Sequence, residues 1–225
     1  MSFELFSNEL EQIEFNEHVD PIEMEPGVML EHVGLYSKAD ELSEASELGT
    51  GTPEIDAENW HKQGERNSCA VACQEFVAEQ LLERDFSEQK MIEYATKKGW
   101  YDPEVGTTAR DVGKLLESLG LAVERAFHLT LNDLAQELDS GSKLICGVNN
   151  MILAKPELAA IPGKLANHAV EVIGIEKSPS DTWVILNDPG IEGGRGVHIR
   201  ASTFLKAWNT GNNYAVIARK GGLYS

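Results

Sequence analysis

Cys69 carries the strongest chemical signal in this sequence, because it stands where a long apolar helix is predicted to begin. Asn67 and Ser68, both favourable N-cap residues, come directly before it. A thiol on the first helical turn faces the positive end of the helix dipole and unpaired backbone N–H groups, which favour the thiolate. The thiolate attacks carbonyl carbons, so this position indicates a nucleophile. The helix is predicted from apolar residues that recur at helical spacing without Gly or Pro: Val71, Ala72, Phe76, Val77, Leu81 and Leu82.

The ordinary role of a buried cysteine is that of a small core hydrophobe, and Cys73 and Cys146 fit that role. Cys73 lies one turn further along the same predicted helix, and Cys146 lies inside an apolar strand. The 3 cysteines of the chain give no disulfide framework and suit a reducing compartment. Their spacing with His61 and His168 is not that of a zinc site. The sequence therefore predicts one reactive thiol and no metal or other cofactor.

Gln63 stands six residues before Cys69, just upstream of the predicted helix. A side-chain amide there is placed to donate to an oxyanion beside the thiol, together with the backbone N–H of Cys69. Taken alone, Gln63 would be an ordinary surface amide. His61, two residues earlier, is interpreted as a residue at the rim of the same site.

A base for the thiol is predicted at His168, which opens an alternating apolar strand. The following strand ends at Asn187 and Asp188. If the two strands pair through the turn near Pro179, the imidazole and the Asp188 carboxylate lie side by side. The carboxylate would then fix the tautomer and tilt of the ring. Asn187 is the competing orienting residue, and Asp-Pro-Gly is also a turn signal by itself.

Several stretches of the sequence resemble the papain-like cysteine peptidases, and in particular the branch that contains the bacterial double-glycine leader peptidases. The order and spacing of Gln63, Gly64, Ser68 and Cys69 are those of the oxyanion Gln and nucleophile of that superfamily. Ala70 and Asn67 depart from the pattern of the cathepsins and point away from that branch. The more specific stretches are GTTARDVGKLLESLG (106–120), HAVEVIGIE (168–176), VILNDPG (184–190) and FLKAWN (204–209).

The resemblance extends over about residues 60–219 and implies a role for each candidate residue. Cys69 would be the nucleophile, His168 the base, Asp188 its orienting partner and Gln63 the oxyanion amide. It also implies an α+β, papain-like fold with an N-terminal helical lobe, a C-terminal antiparallel β-sheet lobe and the active site in the cleft between them.

The order of the predicted elements gives the same division into lobes. Helices are predicted over 69–84, 87–99, 107–120 and 130–141, with a short strand at 121–127. Strands then dominate, at 142–149, 168–177, 181–187 and 197–200, followed by a short helix at 202–209 and a last strand at 213–220. Short turns between successive strands favour antiparallel pairing.

Residues 1–58 differ from the rest of the chain, because they are rich in Asp and Glu and contain Lys38 as their only Lys or Arg. Their composition predicts an acidic N-terminal arm that is either disordered or a pro-segment. The stretch DELSEASELGTG (40–51) faintly resembles leaders with a double-glycine cut, so we consider that it occupies the cleft. A papain-like domain is then predicted over residues 59–225, and the arm is expected to be dispensable for its folding.

The overall composition is that of a globular protein, with 225 residues, 42% hydrophobic and 25% charged. A formal net charge of −18 argues against nucleic acids and anionic membrane surfaces as partners. No apolar run is long enough for membrane insertion. The N-terminus lacks a basic region followed by an apolar one, so we expect a cytoplasmic protein, or one exported without a cleaved signal peptide.

The predicted function is that of a cysteine peptidase or related thiol hydrolase, which cleaves a peptide amide through a Cys-His-Asp triad and an acyl-enzyme. The expected partner is a peptide or protein substrate, with the oligomeric state left open. The alternatives are a non-catalytic, papain-like domain that binds peptides, and a secreted effector or toxin that uses the same triad for acyl transfer.

Overall fold

A computed structural model describes residues 49–221 of the chain. The helices of this part are α1 (Pro53–Asp56), α2 (Cys69–Leu82), α3 (Glu88–Lys98), α4 (Lys114–Ser118), α5 (Leu131–Asp139), α6 (Asn150–Ala154) and α7 (Ala201–Trp208). Its strands are β1 (Thr50–Gly51), β2 (Ala122–Ala126), β3 (Lys143–Val148), β4 (His168–Lys177), β5 (Thr182–Asn187), β6 (Val197–Arg200) and β7 (Ala215–Arg219). Three short 3₁₀ turns lie at Ala57–Asn59, Pro156–Ala160 and Asn209–Gly211 of the described residues.

The strands form one antiparallel sheet in the order β2-β7-β3-β4-β5-β6, with β1 paired to β4. Helices α2 to α4 precede the body of this sheet in the chain, and the sheet follows. The α+β class and the division into a helical part and an antiparallel sheet part are as predicted.

Helices cover both faces of the sheet. Successive side chains of a strand point to opposite faces, so each strand supplies apolar residues to both packing surfaces. On one face, Leu134, Phe204 and Trp208 from α5 and α7 pack against Leu144, Val172 and Leu186 of the sheet. On the other face, residues of α2 and α4 pack against the opposite side chains of β3 and β7: Cys73, Val77, Leu81, Leu116, Ile145 and Val216. Helix α2 is therefore buried on almost every side, and its start is held rigidly over the sheet.

Helix boundaries that depend on local signals agree with the prediction. Ser87 accepts a hydrogen bond from the backbone N–H of Lys90 at the start of α3, and Gly99 ends that helix with a left-handed backbone. Thr130 and Asp133 form the predicted capping box at the start of α5.

The helix predicted over 107–120 is wrong in its first half, since only Lys114–Ser118 is helical there. Gly113 has φ 96°, and a Cβ at this position would lie 2.8 Å from a methyl of Val123 on the sheet. The chain therefore needs a left-handed glycine where it passes over β2, and the helix begins only after it. The stretch 151–167 between the predicted strands, interpreted from its two prolines as a loop, also contains α6 and a 3₁₀ turn.

Residues 50–58, which the composition assigned to the arm, are part of this fold. Thr50 and Gly51 pair with Ile175 and Gly174 at the far end of β4. Asp56 is 2% exposed, and both of its carboxylate oxygens lie 2.6 Å from Lys143 Nζ. Residues 50–58 therefore pack with the sheet, and residues 1–48 of the predicted arm lie outside the described residues.

The paired position of Thr50–Gly51 also bears on the idea that this stretch occupies the cleft. Ile175 is seven residues along β4 from His168, which corresponds to about 20 Å at the rise of a strand. Gly51 therefore lies away from the candidate nucleophile, and residues 40–48 of that stretch lie outside the described residues. Within residues 49–221, no helix has both the length and the apolar character that crossing a membrane requires.

Candidate active site

Cys69 is the first residue of α2 and lies partly exposed in a cleft beside the sheet. Ser68 occupies the N-cap position, as predicted, but its side chain makes no capping hydrogen bond to the helix. Its hydroxyl instead donates to Glu88 Oε1 at 2.6 Å. The N–H groups of Val71 and Ala72 donate to the Ser68 carbonyl oxygen, whereas the N–H of Ala70 is directed at the Cys69 sulfur.

His168 and Asp188 lie together at the ends of β4 and β5, as the predicted strand pairing required. His168 Nε2 lies 2.7 Å from Asp188 Oδ1, and the ring and the carboxylate are 7% and 10% exposed. The Asn187 side chain, the competing candidate, donates instead to Glu171 Oε2 and to the Asp56 carbonyl oxygen. Asp188 is therefore the residue whose geometry orients the imidazole.

The Cys69 thiol and the His168 ring lie close enough for each to change the pKa of the other. Burial alone would raise the pKa of Cys69, but the His168 hydrogen bond and charge and the backbone contacts of Ala169 and Ala70 lower it below its ordinary value. Burial alone would lower the pKa of His168, but Asp188 and Cys69 raise it to about 10. Since Asp188 occupies Nε2, Nδ1 is the nitrogen left for the sulfur. The arrangement favours a thiolate–imidazolium pair at neutral pH.

The other thiols of the chain lie in the core. Cys73 and Cys146 are both fully buried. Burial raises the pKa of each above the ordinary range of a thiol. Of the three cysteines, Cys69 alone combines a lowered pKa with access to the cleft.

Gln63 lines the cleft with Cys69, but its amide is turned into its own loop. Its Nε2 donates to the carbonyl oxygens of Glu65 and Arg66 at 2.7 and 3.0 Å. Reversing the amide would bring Oε1 against these two carbonyl oxygens, so the hydrogen bonds fix the assignment. Both amide protons are therefore engaged away from the position of an oxyanion.

The cleft has a volume of about 1100 Å³ and contains Gln63, Cys69, His168 and Asp188. Large apolar side chains at its edge remain exposed: Val105 (78%), Phe127 (53%), Met151 (49%) and Ile191 (48%). Other parts of the lining come from residues with little or no side chain, including Gly106, Gly147, Ala166 and Gly211. The cleft thus combines apolar contact surfaces with stretches where the backbone itself forms the wall.

The fold is similar to that of solved structures, although the sequence is not similar to known families. No protein-family description matches the sequence, and no curated protein is similar to it. A putative C39-like peptidase from Bacillus anthracis matches 77% of this chain and 98% of its own, with a TM-score of 0.56 and 13% sequence identity. The chain has the papain-like fold of C39-like peptidases.

Two more distant likenesses are to peptidase domains of transporters. The peptidase domain of Streptococcus ComA, a bi-functional ABC transporter of a quorum-sensing pathway, has a TM-score of 0.47 and 18% identity over 71% of this chain and 97% of its own. A double-glycine motif protease from an AMS/PCAT transporter, solved with its leader peptide, has a TM-score of 0.47 and 14% identity over 72% and 90% of the two chains.

Glu88, which the sequence marked only as the first residue of a helix, holds the loop before Cys69. Its Oε2 accepts from the backbone N–H of Gly64 at 2.8 Å, and its Oε1 accepts from the Ser68 hydroxyl. This carboxylate comes from α3, so no local pattern in the sequence could reveal the contact. Glu88 thereby holds the loop that leads into α2, the helix that begins at Cys69.

His61 is also tied to this cluster of carboxylates. Its Nε2 lies 2.9 Å from Glu75 Oε2, and its Nδ1 lies 3.9 Å from Glu88 Oε2. The hydrogen bond to Glu75 raises the pKa of His61 to about 9. The three residues place ligand atoms within 4.8 Å of one another, as a metal site would. Both ring nitrogens of His61 are already engaged, Nε2 by Glu75 at 2.9 Å and Nδ1 by the Lys62 carbonyl oxygen at 3.1 Å, and these contacts account for the cluster.

The loop that carries Asp188 is clamped by the segment that leads to Cys69. The Trp60 indole N–H donates to the Asp188 carbonyl oxygen at 2.8 Å, and the Gln63 backbone N–H donates to the Pro189 carbonyl oxygen at 2.9 Å. Gly190 N–H donates to Asp188 Oδ1 at 2.8 Å. The sequence showed a turn here, but not these contacts between distant parts of the chain.

Proposed function

We propose that the chain is a cysteine peptidase, with Cys69 as the nucleophile, His168 as the general base and acid, and Asp188 as the residue that orients the imidazole. The observation that carries this proposal is the 2.7 Å contact of His168 Nε2 with Asp188 Oδ1 in the same cleft that Cys69 lines. A lowered thiol pKa beside a raised imidazole pKa is the pairing that nucleophilic attack at neutral pH requires.

The first half of the reaction is the transfer of an acyl group to sulfur. The Cys69 thiolate attacks the carbonyl carbon of a peptide bond, and the carbonyl oxygen becomes an oxyanion. The backbone N–H of Cys69 at the helix N-terminus donates to this oxygen. The His168 imidazolium then gives its proton to the leaving nitrogen, the C–N bond breaks, and a thioester remains on Cys69.

Hydrolysis of the thioester completes the cycle. The now neutral His168 takes a proton from water, and the resulting hydroxide attacks the thioester carbon. The C–S bond breaks, the acid product leaves, and the thiolate–imidazolium pair is restored. Asp188 keeps one ring nitrogen engaged throughout, so the other stays directed at sulfur.

Gln63 enters this scheme only after a local rearrangement. Its amide would have to release the carbonyl oxygen of Glu65 or Arg66 before it could donate to an oxyanion. Binding of a substrate in the adjoining cleft supplies a reason for that rearrangement. The role that the resemblance assigned to Gln63 therefore remains a proposal.

The proposed substrate is an extended peptide with apolar side chains next to the cleaved bond. Phe127, Met151 and Ile191 present exposed apolar surface at the edge of the cleft. Isolated exposed apolar residues are common, but a group of them around one cleft indicates a binding surface.

The test is turnover of a pool of peptides by the wild-type chain and by Cys69→Ala. We expect cleavage by the wild type, an acyl group captured on Cys69 in mass spectra, and no cleavage by Cys69→Ala. Cys73→Ala is the matched control, since it removes a thiol one turn along the same helix but away from the cleft.

Iodoacetamide at mildly acidic pH gives a second reading that needs no substrate. Cys69 should be alkylated selectively, because it is the thiol with a lowered pKa. Peptides that bind to the wild type and are never cut would support the non-catalytic alternative. Equal cleavage by Cys69→Ala and the wild type would overturn the proposal.

A further inference from the structure

The interior of the domain holds a carboxyl group that the proposed reaction does not use. Glu171 lies in the middle of β4 and is 0% exposed. Its Oε2 accepts from Asn187 Nδ2 at 2.8 Å, while its Oε1 is buried without a partner among the described residues. A buried carboxylate oxygen without a donor is costly, so burial favours the protonated acid at Glu171.

A second buried acceptor without a donor lies on the neighbouring helix. The Gln80 side chain interacts with Glu171, and this interaction lowers the pKa of Glu171 against the effect of burial. Gln80 Nε2 donates to the Asp56 carbonyl oxygen at 3.2 Å, whereas its Oε1 has no partner within the described part of the chain. Two buried acceptor oxygens on interacting residues therefore lack a donor, and a proton on Glu171 would supply one.

The hydrogen bonds also indicate which oxygen of Glu171 carries that proton. Asn187 Nδ2 donates to Glu171 Oε2 and to the Asp56 carbonyl oxygen, so Oε2 acts as an acceptor. The proton therefore belongs on Oε1, the oxygen that has no donor.

The charges around Glu171 favour the neutral acid. Asp56 on α1 is a second buried carboxylate, and the one nearby cation, Lys143 of β3, is bound to both Asp56 oxygens. Helix α2 contributes the neutral thiol of Cys73 and the neutral amide of Gln80, and β5 contributes the amide of Asn187. Burial, with Asp56 as the next cause, raises the pKa of Glu171 to about 8.

Asn187 connects this cluster to the loop that carries Asp188. Its Oδ1 accepts from the Gly196 backbone N–H at 3.2 Å, and the Asp188 backbone N–H donates to the Gly194 carbonyl oxygen at 2.8 Å. Both contacts close the base of the loop 188–196. The orientation of the Asn187 amide therefore sets the position from which Asp188 reaches His168.

We propose that Glu171 is a positioning residue that acts as a neutral carboxylic acid, donating from Oε1 to Gln80 Oε1 and accepting at Oε2 from Asn187, so that the loop bearing Asp188 keeps its place. The proposal rests on the proposed function of Cys69, His168 and Asp188. Loss of the proton would leave a buried charge beside Asp56 and remove the donor to Gln80. It would thereby disturb Asn187 and the Asp188 loop.

Glu171→Gln and Glu171→Leu separate this role from simple packing. The Gln side chain keeps one donor and one acceptor and imitates the neutral acid, whereas Leu removes both. In Glu171→Leu we expect kcat to fall about tenfold to a hundredfold with KM within about twofold, since small displacements of catalytic groups cost this much. The pKa of Cys69, read from the pH profile of its alkylation by iodoacetamide, should rise in this variant. Glu171→Gln should match the wild type in both measurements.

The pH dependence gives the decisive comparison. The wild type should lose kcat as the pH rises past about 8, and Glu171→Gln should not. An infrared difference spectrum between about pH 6 and pH 9.5 should show a protonated carboxyl in the wild type that is missing in Glu171→Gln. Glu176→Gln, an exposed change on the same strand, is the matched control and should behave as the wild type.

Each failure has a distinct meaning. An unchanged alkaline limb in Glu171→Gln, or the same infrared difference with and without Glu171, would overturn the neutral-acid role. These readings stand even if Glu171→Leu does not fold. Absence of peptide turnover, with the infrared band and the alkylation profiles as expected, would overturn the proposed peptidase and leave the positioning of the Cys69 site by Glu171 supported.

Discussion

The contact between His168 Nε2 and Asp188 Oδ1 controls how far the pH can rise before the imidazole loses its proton. At 2.7 Å, the Asp188 carboxylate stabilises the imidazolium and contributes to a His168 pKa of about 10. The alkaline limb of kcat/KM that His168 produces should therefore lie far above the ordinary range of a histidine.

Asp188→Asn should move that alkaline limb to lower pH. Removal of the carboxylate lowers the pKa of His168, so the imidazolium that protonates the leaving nitrogen is lost earlier as the pH rises. We also expect kcat at the optimum to fall on the order of 10²-fold, because the ring loses its fixed tautomer. The measurement is a pH profile of kcat/KM. Glu192→Gln, an exposed change in the same loop, is the control, and a limb that stays in place in Asp188→Asn would refute the assignment.

Gly190 lies so close to the His168 ring that there is no room for a side chain. A Cβ at this position would lie 2.8 Å from His168 Cε1 and 3.1 Å from its Nε2. Contacts this short force the ring or the loop to move, so Gly190→Ala should displace the imidazole from Asp188. We expect kcat to fall about tenfold or more, with a change of a few degrees or less in the unfolding midpoint.

The control for Gly190→Ala is Glu192→Ala, since that exposed side chain in the same turn touches only Lys62 among the described residues. Turnover and thermal unfolding of both variants would be compared with the wild type. Full activity in Gly190→Ala would show that the ring tolerates the added methyl, against the geometry described here.

At the scale of elements, the segment 50–56 belongs to the sheet domain although its composition resembles the acidic stretch before it. Asp56 neutralises Lys143, whose side chain is 14% exposed, and its carbonyl oxygen accepts from both Gln80 and Asn187. Deletion of this segment would leave the ammonium of Lys143 without its carboxylate and would remove one acceptor from each of the amides of Gln80 and Asn187. Breaking a buried ion pair by removing one partner costs about 3–5 kcal/mol.

A chain that begins at Ala57 should therefore unfold roughly 10 °C below one that begins at Glu47. Both chains lack the acidic stretch upstream, so the comparison isolates the segment. Thermal unfolding followed by circular dichroism measures the difference. In the longer chain, Asp56→Asn should reproduce part of the loss. Equal midpoints for the two truncated chains would restore the original expectation that the arm through residue 58 is dispensable for folding.

Elements were predictable from the sequence where the signal is local. The capping box of Thr130 and Asp133 and the Ser87 and Gly99 ends of α3 depend on neighbours within a few residues, and the structure has them where they were predicted. The full helix at 107–120 is not formed, because the close approach to Val123 on the sheet requires a left-handed glycine at Gly113. A one-dimensional pattern carries no record of such a contact.

The candidate site shows the same difference between features with a local sequence signal and features that depend on contacts between distant residues. The placement of Cys69, His168 and Asp188 followed from one helix start and one strand pairing, both of which have sequence signals. The contacts of Glu88 with Ser68 and of Trp60 with Asp188 join parts of the chain 20 and 128 residues apart. Gln63 was recognised by its spacing, but the direction of its amide depends on carbonyl oxygens that only the folded loop brings near.

At the scale of the whole molecule, Glu171, His61 and His168 are among the described groups that hold their protons more tightly in the folded state than in the unfolded chain. The pKa of Glu171 rises from 4.5 to about 8, that of His61 from 6.5 to about 9, and that of His168 from 6.5 to about 10. The stabilisation from each group is complete below its unfolded pKa and is lost as the pH rises through its folded pKa. All three contributions therefore lower the free energy of unfolding as the pH rises.

The unfolding midpoint should be highest at mildly acidic pH and should fall between about pH 5 and pH 9, by several degrees or more. Repulsion within a chain of net charge −18 acts in the same direction, but it is screened by salt, whereas burial of Glu171 is not. Thermal unfolding across this range, at low and at high salt, separates the two causes. In high salt, Glu171→Gln should flatten the decline below about pH 6.5, where Glu171 acts alone among these groups, and should leave the decline from about pH 6.5 upward that belongs to His61 and His168. A midpoint that rises from pH 5 to pH 8 in high salt would contradict the buried, protonated state of Glu171.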